Sequence, residues 1–283
     1  MKIIRTIRIL KKEIGRAKNR GLKVGFVPTM GALHQGHLNL MRRAKKENDL
    51  VAISVFVNPK QFGPKEDFTR YPRDLNSDAK LARTVGVDII FAPNDEEMYQ
   101  TDFDTFVETL NLANKLCGRS RSRHFRGVLT VVMKLFNIVE PDTAYFGQKD
   151  YQQAQIVKKM VSDLNMNLRV KVLPTVRERD GLAMSSRNRY LSLAQRMNAY
   201  LLYKSLLWAK KNILAGEKNP AKIISGMKNV IKVIPQSRID YIEIVDPVTL
   251  EKKSKLSHCG AAVLLAVHVG KTRLIDNIII CES

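Results

Sequence analysis

Apolar positions fall along this chain in two kinds of run. Nearly continuous stretches rich in β-branched residues occur at 22–28, 50–57, 87–92, 143–146 and 168–174, and each is bounded by polar residues or a turn former. Such short two-sided runs predict strands buried in the middle of a sheet. Between them, residues 37–48, 75–84, 128–139 and 151–164 repeat their apolar positions at helical spacing. Residues 2–21 do the same, with Ile3, Ile7, Leu10 and Ile14 set among bases before a glycine stop, and predict one more helix. Strands alternating with helices predict right-handed βαβ units and a mostly parallel sheet covered on both faces. Residues 103–116 fit neither period.

The pattern changes after Thr175. A charged, glycine-containing link at 177–189 leads to long helical patterns at 193–215 and 220–233, then to three apolar runs at 239–245, 261–269 and 274–281. A domain boundary is therefore expected near Thr175, giving a larger α/β domain over 1–175 and a smaller α+β domain over 176–283. A length of 283 residues accommodates either one large domain or two ordinary ones.

Composition narrows the class. Cys117, Cys259 and Cys281 are odd in number and widely separated, with no CxxC pair, which fits a reducing cytoplasm. Residues 1–10 alternate charge with apolar positions instead of supplying an export signal, and no apolar run is long enough to span a bilayer, so no membrane partner is expected. The net charge of +21 raises the question of a polyanion partner. The bases are spread over presumptive helix faces without interleaved aromatics, however, and only 119–126 forms a dense knot; no specific nucleic acid is expected.

The chemistry concentrates at Met30-Gly31-Ala32-Leu33-His34-Gln35-Gly36-His37, where a strand pattern ends and a helical one begins. Unpaired N–H groups and the helix dipole make such a junction suited to phosphate. The Gly-x4-Gly spacing mimics a P-loop, but His37 and Leu38 replace its Lys and Ser/Thr, so it is not one. Taken alone, the histidine pair fits either a phosphate-facing role or an incidental surface pair. Zinc would need a third protein ligand, and His124, His258 and His268 bring no companion at ligand spacing, so no protein-held metal is expected. Three further stretches stand at strand ends or in the link: Asn58 to Gln61; Gly147-Gln148-Lys149-Asp150 with Gln152 and Gln153 behind it; and Met184-Ser185-Ser186-Arg187. The ligand-bearing ends of parallel strands converge on one edge of the sheet. Lys149, Ser185, Ser186 and Arg187 bring donors and positive charge for a triphosphate. Asp150 suits ribose hydroxyls, and Gln61 and Gln153 suit a small polar substrate.

Seven motifs carry a resemblance: Pro28-Thr-Met-Gly-Ala-Leu-His-x-Gly-His37, Phe56-Val-Asn-Pro-x-Gln-Phe62, His124-Phe-Arg-Gly127, Lys134-Leu-Phe-Asn137, Tyr145-Phe-Gly-Gln-Lys-Asp150, Asp180-Gly-Leu-Ala-Met-Ser-Ser-Arg-Asn188 and Arg273-Leu-Ile-Asp-Asn277. In order and nearly end to end, they resemble the pantothenate synthetase (pantoate:beta-alanine ligase) family of the nucleotidylyl transferase superfamily. The resemblance implies a Rossmann-like sheet with a HIGH-type nucleotide site, and a smaller C-terminal domain closing over ATP. It implies ATP with Mg²⁺, pantoate and beta-alanine as substrates, a pantoyl adenylate on the way to pantothenate, AMP and pyrophosphate, and a cytoplasmic homodimer. It further implies catalytic roles for His34, His37 and Lys149. ATP contacts are implied at 30–37, at 147–150, at the Val176 backbone and at 184–187, and pantoate contacts at Gln61 and Gln153. Residues 63–76 are expected to form a lid. Family members often read Arg-Pro-Gly-His-Phe and Met-Tyr-Pro where this chain has Arg121-Ser-Arg-His-Phe125 and Met98-Tyr-Gln100, which bears on local loop shape.

Overall fold

The computed structural model describes residues 1–64, 66–257 and 260–280; His258, Cys259 and Cys281 lie outside the described residues. The strands are β1 (Lys2–Ile4), β2 (Val24–Thr29), β3 (Leu50–Val55), β4 (Ile89–Phe91), β5 (Thr143–Gly147), β6 (Arg169–Leu173), β7 (Ser237–Val245), β8 (Ala261–Val269) and β9 (Thr272–Ile280). The helices are α1 (Ile7–Asn19), α2 (Gln35–Glu47), α3 (Leu75–Arg83), α4 (Asp95–Met98), α5 (Cys117–Ser120), α6 (His124–Val139), α7 (Tyr151–Asp163), α8 (Leu193–Ala199), α9 (Leu201–Leu214) and α10 (Pro220–Ile231). Among the described residues, no helix is long and apolar enough to cross a membrane.

The chain divides into two compact units, one of Met1–Asn114, Arg121–Gly147 and Gln153–Pro174, the other of Lys115–Ser120, Gln148–Gln152 and Thr175–Ser283. In the first, six parallel strands run in the order β1-β4-β3-β2-β5-β6. Burial explains the centre of that order. Val24, Phe26 and Val27 of β2 and Val51, Ala52 and Ile53 of β3 are fully buried, as strands covered on both faces must be. From β2 the chain steps outward through β3 and β4 on one side, then returns to β5 beside β2 and continues to β6 on the other. The order therefore reverses between β2 and β5, and crevices outside the carboxyl ends at such a reversal are where open α/β sheets bind ligands.

Most predicted elements stand within a few residues of their expected bounds, but the amino terminus differs. Residues 2–4 are not the first turn of a helix; they form an edge strand, with Lys2 opposite Ile89 and Ile4 opposite Phe91, and α1 begins only at Ile7. Ile3, counted into the helical spacing, is instead exposed, while Ile4 is buried.

The second unit builds its core from a three-stranded antiparallel sheet, β7-β8-β9, against α9 and α10. Its long helical pattern is interrupted at Tyr200, which separates α8 from α9. Gly226 of α10 lies against Trp208, whose ring occupies the space a Cβ would need.

Candidate active site

In the first unit, the histidine turn leaves β2 and enters α2. Thr29, the last residue of β2, donates from its hydroxyl to the Ser54 carbonyl at 2.6 Å and accepts from the Gly31 amide at 3.1 Å. Gly31 and Ala32 then adopt left-handed backbone, with φ of 84° and 50°. A buried carboxylate fixes them there: Asp78, on α3, accepts from the Ala32 amide at 3.1 Å and the Leu33 amide at 2.8 Å. A Cβ on Gly31 would sit 2.8 Å from Asp78 Oδ2, so both the conformation and the close approach require glycine there.

The two histidines cap α2 reciprocally. His34 Nδ1 accepts from the Gly36 amide at 3.1 Å, and His37 Nδ1 accepts from the His34 amide at 3.3 Å. This is the two-way logic of a capping box with imidazoles in place of hydroxyl and carboxylate. Because each Nδ1 is an acceptor, each neutral ring carries its proton on Nε2. The rings lie 4.1 Å apart between centroids and present two N–H donors of the same kind. This changes how the turn meets an anion. The amides of Gly31, Ala32, Leu33, His34 and Gly36 already have protein acceptors, so the turn offers an anion fewer backbone donors than a bare helix start would.

Gln61 sits in the 3-10 turn Pro59–Gln61 after β3 and approaches the histidine turn, its Nε2 lying 3.1 Å from Met30 Sδ. Asn58, almost fully buried, holds it: Asn58 Nδ2 donates to Gln61 Oε1 and to the Gly127 carbonyl, and Asn58 Oδ1 accepts from Tyr99 OH at 2.8 Å. The start of α6 presses against the same turn, where a Cβ on Gly127 would lie 2.1 Å from the Lys60 carbonyl oxygen. His124 donates from Nδ1 to the Gln61 carbonyl at 2.8 Å and accepts at Nε2 from Arg121, which forks onto Glu66 with two contacts of 2.6 Å. Burial works to raise the Glu66 carboxyl, but Arg121 outweighs it and the group lies below its ordinary range. These bonds make Arg121 and His124 supports of the Gln61 loop. The expected lid stretch is tied down by the same Glu66 fork and by rings of Phe62, Phe68 and Tyr71, with Tyr71 buried.

Gly147 closes β5, next to the histidine turn's own strand, and Gln153 lies half-buried on α7. A cleft of about 540 Å³ opens past the ends of β3 and β4, with Met30, Val57, Asp74, Asp95, Arg5 and Arg73 on its walls; His34, His37 and Gln61 are not among them.

In the second unit, Gln148, Lys149 and Asp150 form a 3-10 turn. Lys149 Nζ lies 3.7 Å from Asp150 Oδ2, with only 21% of its side chain exposed. Gln148, half-buried, donates from Nε2 to Asn277 Oδ1. Gln152 is buried and structural, accepting from the Cys117 amide and donating to the Lys115 carbonyl. Residues 176–184 make a small hairpin closed by the Arg177–Ala183 bridge, and the Val176 carbonyl accepts from the Met184 amide. Arg196 clamps its turn, reaching Glu178 and Asp180 at 2.5 Å each. Ser185 then caps the short helix Ser186–Tyr190 by accepting from the Arg187 amide, and Ser186 is buried at its start.

The dense basic knot is largely consumed by ion pairs and stacking: Arg119 pairs with Glu243, Arg121 with Glu66, and Arg126 lies over the Phe106 ring at 4.0 Å. Lys158, Lys159, Lys210 and Lys211 are exposed on helix faces. Among the described residues, no cluster of His, Cys, Asp and Glu is placed to hold a metal ion. Asp78 and Arg196 belong to no sequence motif and act on residues remote in the chain, whereas Asn58, Asp276 and Asn277 stand inside motifs that gave them no role.

The model of the Pantoate-beta-alanine ligase family matches residues 2–279. Pantothenate synthetase of Moorella thermoacetica is 52% identical over 281 residues, covering 99% of both chains. That of Thermotoga neapolitana is 53% identical over 280 residues, covering 99% of this chain and all of its own. Among solved structures, pantothenate synthetase of Thermus thermophilus superposes with a TM-score of 0.94 at 45% identity over the whole of both chains. Pantoate-beta-alanine ligase of Francisella tularensis, complexed with beta-gamma ATP and beta-alanine, does so at 0.80 and 35% identity, over 99% of this chain and 97% of its own. The chain therefore belongs to the pantoate-beta-alanine ligase family.

Proposed function

We propose that the chain condenses pantoate with beta-alanine at the expense of ATP, forming pantothenate, AMP and pyrophosphate. Full-length membership of the ligase family carries the reading, and the paired imidazole donors at the end of β2 supply a place for its chemistry. In the first step a pantoate carboxylate oxygen attacks the α-phosphorus of Mg-ATP; the bond to the bridging oxygen breaks and pyrophosphate leaves with Mg²⁺. In the second, the neutral amine of beta-alanine attacks the acyl carbon of pantoyl adenylate, AMP departs, and the amine loses its proton.

The residue roles belong to the same reading. His34 and His37 donate from Nε2–H to the oxygens of the five-coordinate α-phosphorus, joined by the Met30 amide and the Lys149 ammonium. A carboxylate nucleophile needs no base, so this is charge stabilisation in the transition state. Gly31 to Leu33, Gln35 and Gly36 form the surface on which the nucleotide rests. Gly147, Gln148 and Asp150 serve the ribose side, the Val176 backbone and Met184 the adenine side, and Ser185, Ser186 and Arg187 the β- and γ-phosphates. Gln61, held by Asn58, and Gln153 take pantoate's hydroxyls and carboxylate. The enzyme acts as a cytoplasmic homodimer.

AMP formation from Mg-ATP and pantoate, measured with and without beta-alanine, tests the reading. AMP that depends on both organic substrates supports it; folded protein that forms none with either would overturn it.

A further inference from the structure

Arg273-Leu-Ile-Asp-Asn277 is the last of the seven motifs. It lies on β9, and its last two side chains are almost fully buried. Adjacent strand residues point to opposite faces, and here each face holds a different loop. Asn277 Nδ2 donates to the Gln148 carbonyl at 2.9 Å and the Lys149 carbonyl at 3.0 Å, while its Oδ1 accepts from Gln148 Nε2 at 3.2 Å. Every polar atom of the carboxamide is thus bonded to the Lys149 turn. Aspartate, lacking donors, would set an oxygen against both carbonyls, and leucine would leave both unsatisfied.

Asp276 holds the other loop. Its carboxylate takes Arg177 through both terminal nitrogens, at 2.6 and 3.0 Å, and also accepts from the Asn277 amide at 2.7 Å. Arg177 in turn donates to the Gly181 carbonyl and lies 3.6 Å from the Tyr203 ring centre, so the hairpin leading to Ser185 is anchored through it. Burial pushes the Asp276 carboxyl above its ordinary range, against the pull of Arg177.

We propose that Asp276 and Asn277 are positioning residues for ATP chemistry: Asn277 sets the Lys149 turn for the adenylation step, and Asp276 sets the hairpin that presents Ser185, Ser186 and Arg187 to the β- and γ-phosphates. The proposal rests on the assignment of Lys149 and the serine loop made above. It predicts a division of effects that a merely structural role would not produce. Asn277→Ala lowers the single-turnover rate of pyrophosphate formation by about 10–100-fold with little change in the ATP concentration for half-saturation. Asp276→Asn raises that concentration by about 10-fold and leaves the saturated rate within ~3-fold of the parent.

The deciding experiment is a double-mutant cycle on single-turnover pyrophosphate formation from Mg-ATP and pantoate, using the full chain, Lys149→Ala, Asn277→Ala and the double variant, with thermal melting of each. Because Asn277 acts through Lys149, the double variant should be no slower than Lys149→Ala alone, within about 2-fold. Multiplied effects would overturn the proposal, as would a parent-like rate for Asn277→Ala beside an impaired Lys149→Ala. A parent-like Lys149→Ala would instead remove the underlying assignment. If Asn277→Ala does not fold, Asn277→Ser, which keeps one donor, carries the same cycle.

Discussion

The histidine turn of the first unit and the Lys149 turn of the second both follow strands of the parallel sheet, yet they are held in different ways. The histidine turn is mostly self-bonded: Thr29, His34 and His37 accept from amides no more than three residues away, and Asp78 reaches in from a distant helix. The Lys149 turn has its carbonyls held from β9, some 128 residues along the chain. The first arrangement fixes two imidazole tautomers with little outside help; the second makes the place of one ammonium depend on a remote strand. Local chemistry can thus specify a donor's identity, while tertiary contacts specify where a flexible cation starts from.

The largest effect on that comparison should come from Asp78. Asp78→Ala strips acceptors from two buried amides and is expected to cost about 2–4 kcal/mol of stability. Asp78→Asn should recover part of this, because a carboxamide oxygen can still accept one of them. Thermal or urea unfolding of the two variants checks it; equal stability of both with the parent would show that the turn needs no brace.

A smaller effect is expected at Gly36, where a Cβ would lie 2.8 Å from His34 Cε1 and 2.9 Å from Nδ1. Gly36→Ala should tilt the ring and slow adenylation ~10-fold with little loss of stability. An unchanged rate would mean that the orientation of His34 is immaterial.

The far end of the same helix gives a pH test. Glu47 is held by Lys171 at 2.8 Å, Tyr145 at 2.7 Å and Arg43 at 2.5 Å, and its carboxyl is drawn down to about 2 from an ordinary 4.5. The unfolded chain therefore binds the proton first, so this contribution is complete above about pH 4.5 and is lost as pH falls towards about 2. Burial and the Glu47 bond in turn push the Tyr145 hydroxyl up to about 12. Glu47→Gln should flatten the fall in melting temperature over the acid window; an unchanged slope would locate the acid sensitivity elsewhere.

The smallest effect concerns Arg123, which stands at φ 65° before α6, where family members often have glycine. Arg123→Gly should relieve left-handed strain and raise stability by up to ~1 kcal/mol, read as a modest increase in melting temperature.

The parallel sheet, the three strands of the second unit and the histidine turn were legible in the sequence because each rests on a local signal: two-sided apolar runs, a change of period after Thr175, and glycines bracketing a strand–helix junction. The edge strand β1 was not legible, since three residues carry no period and their pairing with β4 is a long-range matter. The tautomers of His34 and His37 could not be read from spacing alone, although the spacing that allows reciprocal capping was there. Asp78 was silent, and Asp276 stood in a motif without a role, because a buried carboxylate looks like a surface one until its partners, 45 and 99 residues away, are known.

The most direct test of the central claim is single-turnover release of pyrophosphate from Mg-ATP and pantoate, without beta-alanine, by the parent chain and by His37→Ala. A stoichiometric burst from the parent, slowed ~10²-fold or more in folded His37→Ala, is the predicted result. A burst of equal rate in both would contradict the assignment of the imidazole donors to the α-phosphate, and the absence of any burst from the parent would contradict the adenylate route itself.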